Sequence, residues 1–237
     1  MQWRIWWQWV RISALAFGVG LGSAGLIAIG LRTLASSNGI IQSLLYGSLQ
    51  IRELLPLLFA GLFVGAIQSQ VLSEHLSNFR WYQWLRLTVI GVLLIWLIKV
   101  MAMLFLTLVP FRSLNRLIWV LSSRSVSMPG PGYFVTPAWT GALLGFIVAL
   151  VQQQELKQHV HNSEMWSWAN GAAWALGFPV LVAGEIIALS TLPTTSFSMP
   201  LFVLVTFVAQ VITGAVVGGI QGFAIAYLLN RQRSPSS

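Results

Sequence analysis

The stretches GLFVGAIQSQVLSEHLSNFRWYQWLRLT (61–88) and GFIVALVQQQELKQHVHNSEMWSWANGA (145–172) decide the fold of this chain, because one is a diverged copy of the other. A shift of 84 residues aligns them without a gap and pairs Gly61 with Gly145, Val64 with Val148, Gln68 with Gln152 and Gln70 with Gln154. The same register pairs Leu72 with Leu156, His75 with His159, Asn78 with Asn162 and Trp84 with Trp168. Self-similarity at a fixed spacing marks a repeated supersecondary unit, and the shared pattern reads as the end of one helix, a short turn and the start of the next. The N-terminus carries the second half again, since WWQWVRIS (6–13) matches WYQWLRLT (81–88) in identity or type. The C-terminus carries the first half as Gly214-x3-Gly218-x2-Gln221. The chain therefore divides into three two-helix units, approximately 1–75, 76–160 and 161–237, within one integral membrane domain, 1–237. Each unit is a Trp-led helix going out and a Gly-x3-Gly-x2-Gln helix coming back. The units run parallel, as expected of a pseudo-symmetric bundle.

Composition says what surrounds these helices. Of 237 residues 57% are apolar and only 8% charged, with mean hydropathy +0.78, whereas a soluble domain carries about 25% charged residues. The deficit excludes a soluble enzyme domain, a disordered tail and a nucleic-acid module. A helix needs about 20 apolar residues to cross the hydrocarbon, where water is unavailable to backbone groups. Six stretches meet that need: Trp9 to Leu31, Leu54 to Leu72, Leu87 to Val109, Thr136 to Gln152, Gly171 to Leu192 and Leu201 to Leu229. The expected fold is an all-α polytopic membrane bundle of about six transmembrane helices. Pro56, Pro110, Pro137, Pro193 and Pro200 fall near proposed ends, while Pro179 lies inside the fifth span and is expected to kink it. The first apolar stretch is too long for a signal-peptide core and its leader recurs mid-chain, so residues 1–34 are read as part of the mature fold.

The net charge of +8 is strung between apolar segments rather than gathered into one patch, so it carries topology and not nucleic-acid binding. Arg4, Arg11, Arg80, Arg86, Lys157, Arg231 and Arg233 lie on the side of the termini, against Arg32, Arg52, Arg112, Arg116 and Arg124 on the other. The balance favours cytoplasmic termini. Trp3, Trp6, Trp7, Trp9, Trp81, Trp84, Trp166 and Trp168 fall on that same side, where amphipathic rings sit at headgroup level. On the far side the connections 35–53 and 111–135 differ in length and composition, and either suits the interface plane. With no Cys, no Asp and five scattered Glu, disulfides, thiolate catalysis and thiolate-bound zinc are excluded, and clustered-carboxylate metal sites are nearly excluded. The reading assigns no catalytic residue and no metal ligand, and leaves the cofactor open.

Gly61/Gly65, Gly141/Gly145 and Gly214/Gly218 are small-x3-small pairs, which place glycines on one helix face and let backbones approach. Packing between units is the plain reading, and self-association the alternative. Gly20-Leu21-Gly22-Ser23-Ala24-Gly25 spells a dinucleotide fingerprint but lacks the required strand. Gln68, Gln152 and Gln221 recur near the cytoplasmic ends of the returning helices and suit hydrogen bonds between helices. A polar ring around a water-filled pocket and ligation of a pigment magnesium are the sharper alternatives. His75 and His159 are expected to bond turn backbone groups or cap helix ends; as a metal site, His159-x-His161 has only two ligands.

Lys99 and Glu185 are the charges out of place. Ionisable residues inside a membrane are costly and stand as functional hypotheses. Lys99 lies 15 residues after Trp84 and Glu185 lies 17 after Trp168, a depth difference of about 3 Å at the helical rise. They are expected to face each other in the bundle interior as an ion pair or hydrogen-bonded pair.

The alternation of Trp-led and Gly-x3-Gly-x2-Gln helices resembles that of small, uncharacterised polytopic membrane proteins common in cyanobacteria. The resemblance covers most of the chain, implies a prokaryotic plasma or thylakoid membrane and brings no activity with it. Mitochondrial-type carriers also have three two-helix units, but their proline-acid-basic motif is absent here. The leading functional expectation is a non-catalytic scaffold, accessory subunit or assembly factor of a larger membrane complex. Its partners would be the lipid bilayer and another membrane protein or a second copy of the chain. A small-solute or lipid transporter using Lys99 and Glu185 is the alternative, and pigment or quinone binding on the aromatic surfaces a further one. An intramembrane enzyme lacks H-E-x-x-H, G-x-S-x-G and paired acids.

Overall fold

A computed structural model describes residues 3–37, 51–108, 132–190 and 198–233, with the side-chain surroundings of 24–26, 28–37, 51–53, 56, 102–108, 132–134, 189–190, 198–200 and 232–233 outside the description. Six helices account for nearly all of it: α1 (Trp3–Ser37), α2 (Ile51–His75), α3 (Trp81–Leu108), α4 (Gly132–Leu156), α5 (Glu164–Ser190) and α6 (Ser198–Arg233). The all-helical expectation holds. Within the described residues five segments are long and apolar enough to cross a membrane: Leu57–His75, Trp81–Met101, Val135–Leu156, Glu164–Ala188 and Leu201–Arg231. The first expected span, Trp9 to Leu31, is helical but is not among the five, and much of it lies where side chains are not described. The far-side loops with Pro110, Arg112, Arg116, Arg124 and Pro193 lie outside the described residues, as do the side chains of Arg32 and Arg52.

The helices start before the apolar spans do. Pro137 stands well inside α4 rather than at its edge, and Pro179 lies inside α5 as expected. Each helix packs on its chain neighbours, and α6 packs on α1, so the six close a ring in chain order. Neighbours are antiparallel: Gly61 meets Val92 and Gly65 meets Thr88 between α2 and α3, while Gly214 and Gly218 meet Ser13 between α6 and α1. Consequently α1, α3 and α5 all begin at the end of the ring where the chain termini lie.

Two short turns on that side join α2 to α3 and α4 to α5. Asn78 and Asn162 both adopt the left-handed conformation, with φ of 60° and 57°. Asparagine tolerates that region because its short side chain bonds locally, which gives the recurring His-x2-Asn spacing a backbone reason. Leu76 N–H donates to Leu72 O and Val160 N–H donates to Leu156 O, each at 2.8 Å, closing the preceding helices.

The outer surface is apolar. Leu62, Leu97, Met101, Leu143, Leu176, Leu204 and Ile212 are exposed on the spans, the side-chain chemistry that lipid chains accept without cost. The core clusters at the terminal end of the ring, around Trp9, Trp84 and Trp166 with Val71, Leu72, Leu156, Ile225 and Leu228.

Candidate functional site

Trp9, Trp84 and Trp166 come from α1, α3 and α5, and all three are no more than 1% exposed. Their rings meet edge-on and tilted, with centroids 5.9 Å apart for Trp9 and Trp166 and 5.6 Å for Trp84 and Trp166. These separations favour aromatic pairs. An indole N–H buried in this setting requires an acceptor, and for Trp9 and Trp166 the returning helices supply one. Trp166 Nε1 donates to Gln152 Oε1 at 3.2 Å, and Trp9 Nε1 donates to Gln221 Oε1 at 3.3 Å. The amide nitrogens then reach one helix back around the ring. Gln152 Nε2 donates to Thr88 Oγ1 at 2.9 Å, and Gln221 Nε2 donates to Asn170 Oδ1 at 2.8 Å. Gln68, also buried, donates through Nε2 to Gln221 Oε1 at 3.2 Å. The three repeated glutamines are thus held together with the three tryptophans in one plug.

One assignment from the repeat needs correction. Trp168, aligned with Trp84, is 71% exposed, and Trp166 takes the core position. The cause is local. The first turn bond of α3 runs from Gln83 N–H to Arg80 O, five residues after Asn78, whereas that of α5 runs from Met165 N–H to Asn162 O, three residues after Asn162, so the helical bonding of α5 starts two residues sooner after its left-handed Asn. Residues 166 and 168 stand about 200° apart around the helix, and only one can face inward.

The glycine pairs lie where each returning helix meets the helix that follows it in the ring. A Cβ on Gly61 would stand 2.7 Å from Val92 Cγ2, and one on Gly214 would stand 2.6 Å from Ser13 O. Gly65 and Gly218 carry the same contact one turn on, against Thr88 and Ser13, and Gly141 and Gly145 pack against Trp174 of α5. Close backbone approach is what small-x3-small pairs allow.

The turns hold a second polar cluster. His75 Nδ1 lies 2.9 Å from Val71 O, and its counterpart His159 places Nε2 3.2 Å from Glu155 Oε1. Glu155 is 1% exposed. Gln83 donates its amide to the same carboxylate and accepts from the Arg80 guanidinium at 2.9 Å, so the end of α4 is tied to the start of α3. Sequence reasoning counted Glu155 among the scattered acids and missed this role. Its signal was position, four residues before a histidine in a turn that repeats.

Lys99 and Glu185 are both exposed, so the buried setting expected for them is absent. Counted from the core tryptophans, Lys99 lies 15 residues along α3 and Glu185 lies 19 along α5. The offset is about 6 Å at the helical rise, twice the expected one. Lys99 stands three turns beyond Thr88 on the same face of α3. Among the described residues no group of three or more His, Asp or Glu is placed to hold a metal ion, and His161 is exposed.

Comparison with family models, with curated proteins and with solved structures finds no match to this chain.

Proposed function

We propose that this protein is a non-catalytic integral membrane protein, acting as a scaffold, accessory subunit or assembly factor of a larger membrane complex. We further read it as three parallel two-helix units in a prokaryotic plasma or thylakoid membrane, with cytoplasmic termini. The observation that carries the reading is the use of its polar side chains. Gln152 and Gln221 bond to Trp166, Thr88, Trp9 and Asn170 inside the ring, so the groups that would otherwise address a substrate hold helices together. Intrahelical ties such as Thr213 Oγ1 to Ala209 O consume further hydroxyls. Among the described residues the terminal face adds only two short turns outside the helices, and the exposed side chains of the spans are apolar, a surface suited to contact with lipid or another membrane protein.

The test is gentle purification from the native membrane followed by mass analysis of what accompanies the chain. A stoichiometric protein complex supports the reading. An isolated chain carrying a bound small molecule contradicts it.

A specific observation favours transport as a second reading. Lys99 is exposed on the face of α3 that carries Thr88, and an ionisable side chain within a membrane-spanning helix is a functional hypothesis by default. Lys99→Cys labelled by a water-soluble maleimide from the far side supports a solute path. Protection from both sides removes it.

A further inference from the structure

The hydrogen bonds inside the plug follow one rule with one exception. At two junctions of the ring, an indole N–H donates to the glutamine of the preceding returning helix. That glutamine donates in turn to a polar side chain on the helix before it. Trp166, Gln152 and Thr88 form one such set, and Trp9, Gln221 and Asn170 the other. The receiving positions share a register, because Thr88 lies four residues after Trp84 and Asn170 four after Trp166. Four residues after Trp9 is Ser13. The rule therefore names the third set in advance: Trp84 would donate to Gln68, and Gln68 to Ser13. Neither bond is present. Gln68 donates to Gln221 instead, and Ser13 Oγ and Trp84 Nε1 are buried atoms without a hydrogen-bond partner. Two of the four such side-chain atoms among the described residues are thus the two partners that the rule assigns to Gln68. Ser13 is 0% exposed and Trp84 is 0% exposed, so bulk water does not satisfy them, and a buried polar atom left unpaired is costly.

We propose that Gln68 is a two-position latch in the plug. In the position described above its amide donates to Gln221 and ties α2 across to α6. In the second position Gln68 Oε1 accepts from Trp84 Nε1 and its Nε2 donates to Ser13 Oγ, which closes the third junction in the same way as the other two. The exchange trades one bond for two. Gln221 keeps Trp9 and Asn170 in both positions, so the other junctions stay closed while α1, α2 and α3 are joined or released. The inference rests on the three-unit reading of the ring.

The test is the indole N–H spectrum of the full chain, labelled with 15N-tryptophan in detergent micelles, with Trp84 and Trp166 assigned from Trp84→Phe and Trp166→Phe. Gln68→Met is expected to move the Trp84 resonance toward that of an unbonded indole and to leave Trp166 in place. Gln221→Met removes the acceptor of the first position and is expected to move Trp84 in the opposite direction. Ser13→Ala, a smaller change that keeps the test open if Gln68→Met does not fold, removes one bond of the second position and is expected to act like Gln68→Met. A Trp84 resonance that none of the three variants moves, or that Gln221→Met and Gln68→Met move in the same direction, overturns the latch. Gln152→Met serves as the control. If it leaves Trp166 unmoved, the three-unit reading fails and the latch with it; if it moves Trp166 while Trp84 stays fixed throughout, the latch alone fails.

Discussion

Replacing Gln221 by leucine removes the most connected side chain of the plug while nearly conserving its size. Gln221 is 2% exposed and bonded at once to Trp9, Gln68 and Asn170. An interhelical hydrogen bond in lipid is worth roughly 0.6 kcal/mol, so with Gln68 in its first position three of them set a floor of about 2 kcal/mol. The cost rises above that floor because the indole and the asparagine carbonyl stay behind in a dry site, at roughly 1–3 kcal/mol for each group that finds no new partner. Gln152→Leu breaks two bonds, to Thr88 and Trp166, and has a floor of about 1 kcal/mol by the same value. Gln154 is exposed, so Gln154→Leu is the control for the loss of an amide without the loss of a network. The assay is equilibrium unfolding in mixed micelles with increasing SDS, followed by far-UV circular dichroism. The expected order of destabilisation is Gln221→Leu, then Gln152→Leu, then Gln154→Leu near zero. If Gln221→Leu costs no more than Gln154→Leu, the plug does not hold the ring and the reasoning is wrong.

The same assay separates other parts of the account. Trp166→Ala removes a fully buried ring and is expected to cost about 3–5 kcal/mol, whereas Trp168→Ala, at a 71% exposed position, is expected to change stability by less than about 0.5 kcal/mol; the reverse ranking restores the ungapped register. Gly214→Val drives a side chain into the Ser13 carbonyl of α1 and is expected to cost at least about 1–3 kcal/mol. Gly219→Ala, whose new Cβ meets nothing within 4 Å, is expected to stabilise α6 by up to about 1 kcal/mol through helix propensity. Glu155→Ala unties His159 and Gln83 from the end of α4; a loss of about 1–3 kcal/mol is expected for the stranded partners, and no change at all would make the cluster incidental.

The helices, their alternation and the polar positions that matter were legible because two periodicities coincide in the sequence: apolar length sets the spans, and the repeat sets which glycine, glutamine and asparagine recur. Gln68, Gln152 and Gln221 were found that way, and so were the turns, where Asn78 and Asn162 sit at positive φ. What the repeat did not carry was the start of α5. A two-residue change in where the helical bonding begins rotates everything after it by about 200°, and no pairing of residue types reveals that rotation. Trp166 and Asn170 were missed for this reason, and Trp168 was given the core position in their place. Closure of the ring through α6 and α1 was also invisible, since it depends on Gly214 and Gly218 meeting Ser13, a contact between opposite ends of the chain. Glu155 was hidden by its type, because an acid near a predicted helix end reads as solvated until Gln83 and His159 are placed around it.

The most direct test of the central claim, that the terminal half of the ring is a sealed and structural plug, is single-cysteine labelling, for which a chain without native cysteine needs no background substitutions. Ala149 is 0% exposed within the core around the three tryptophans, and Lys157 is exposed in the turn beyond it. In sealed vesicles of either orientation, Lys157→Cys is expected to react with a membrane-impermeant maleimide from the terminal side, and Ala149→Cys to remain unlabelled from both sides. Labelling of Ala149→Cys at a rate comparable to Lys157→Cys would show water reaching through the plug and would contradict the account.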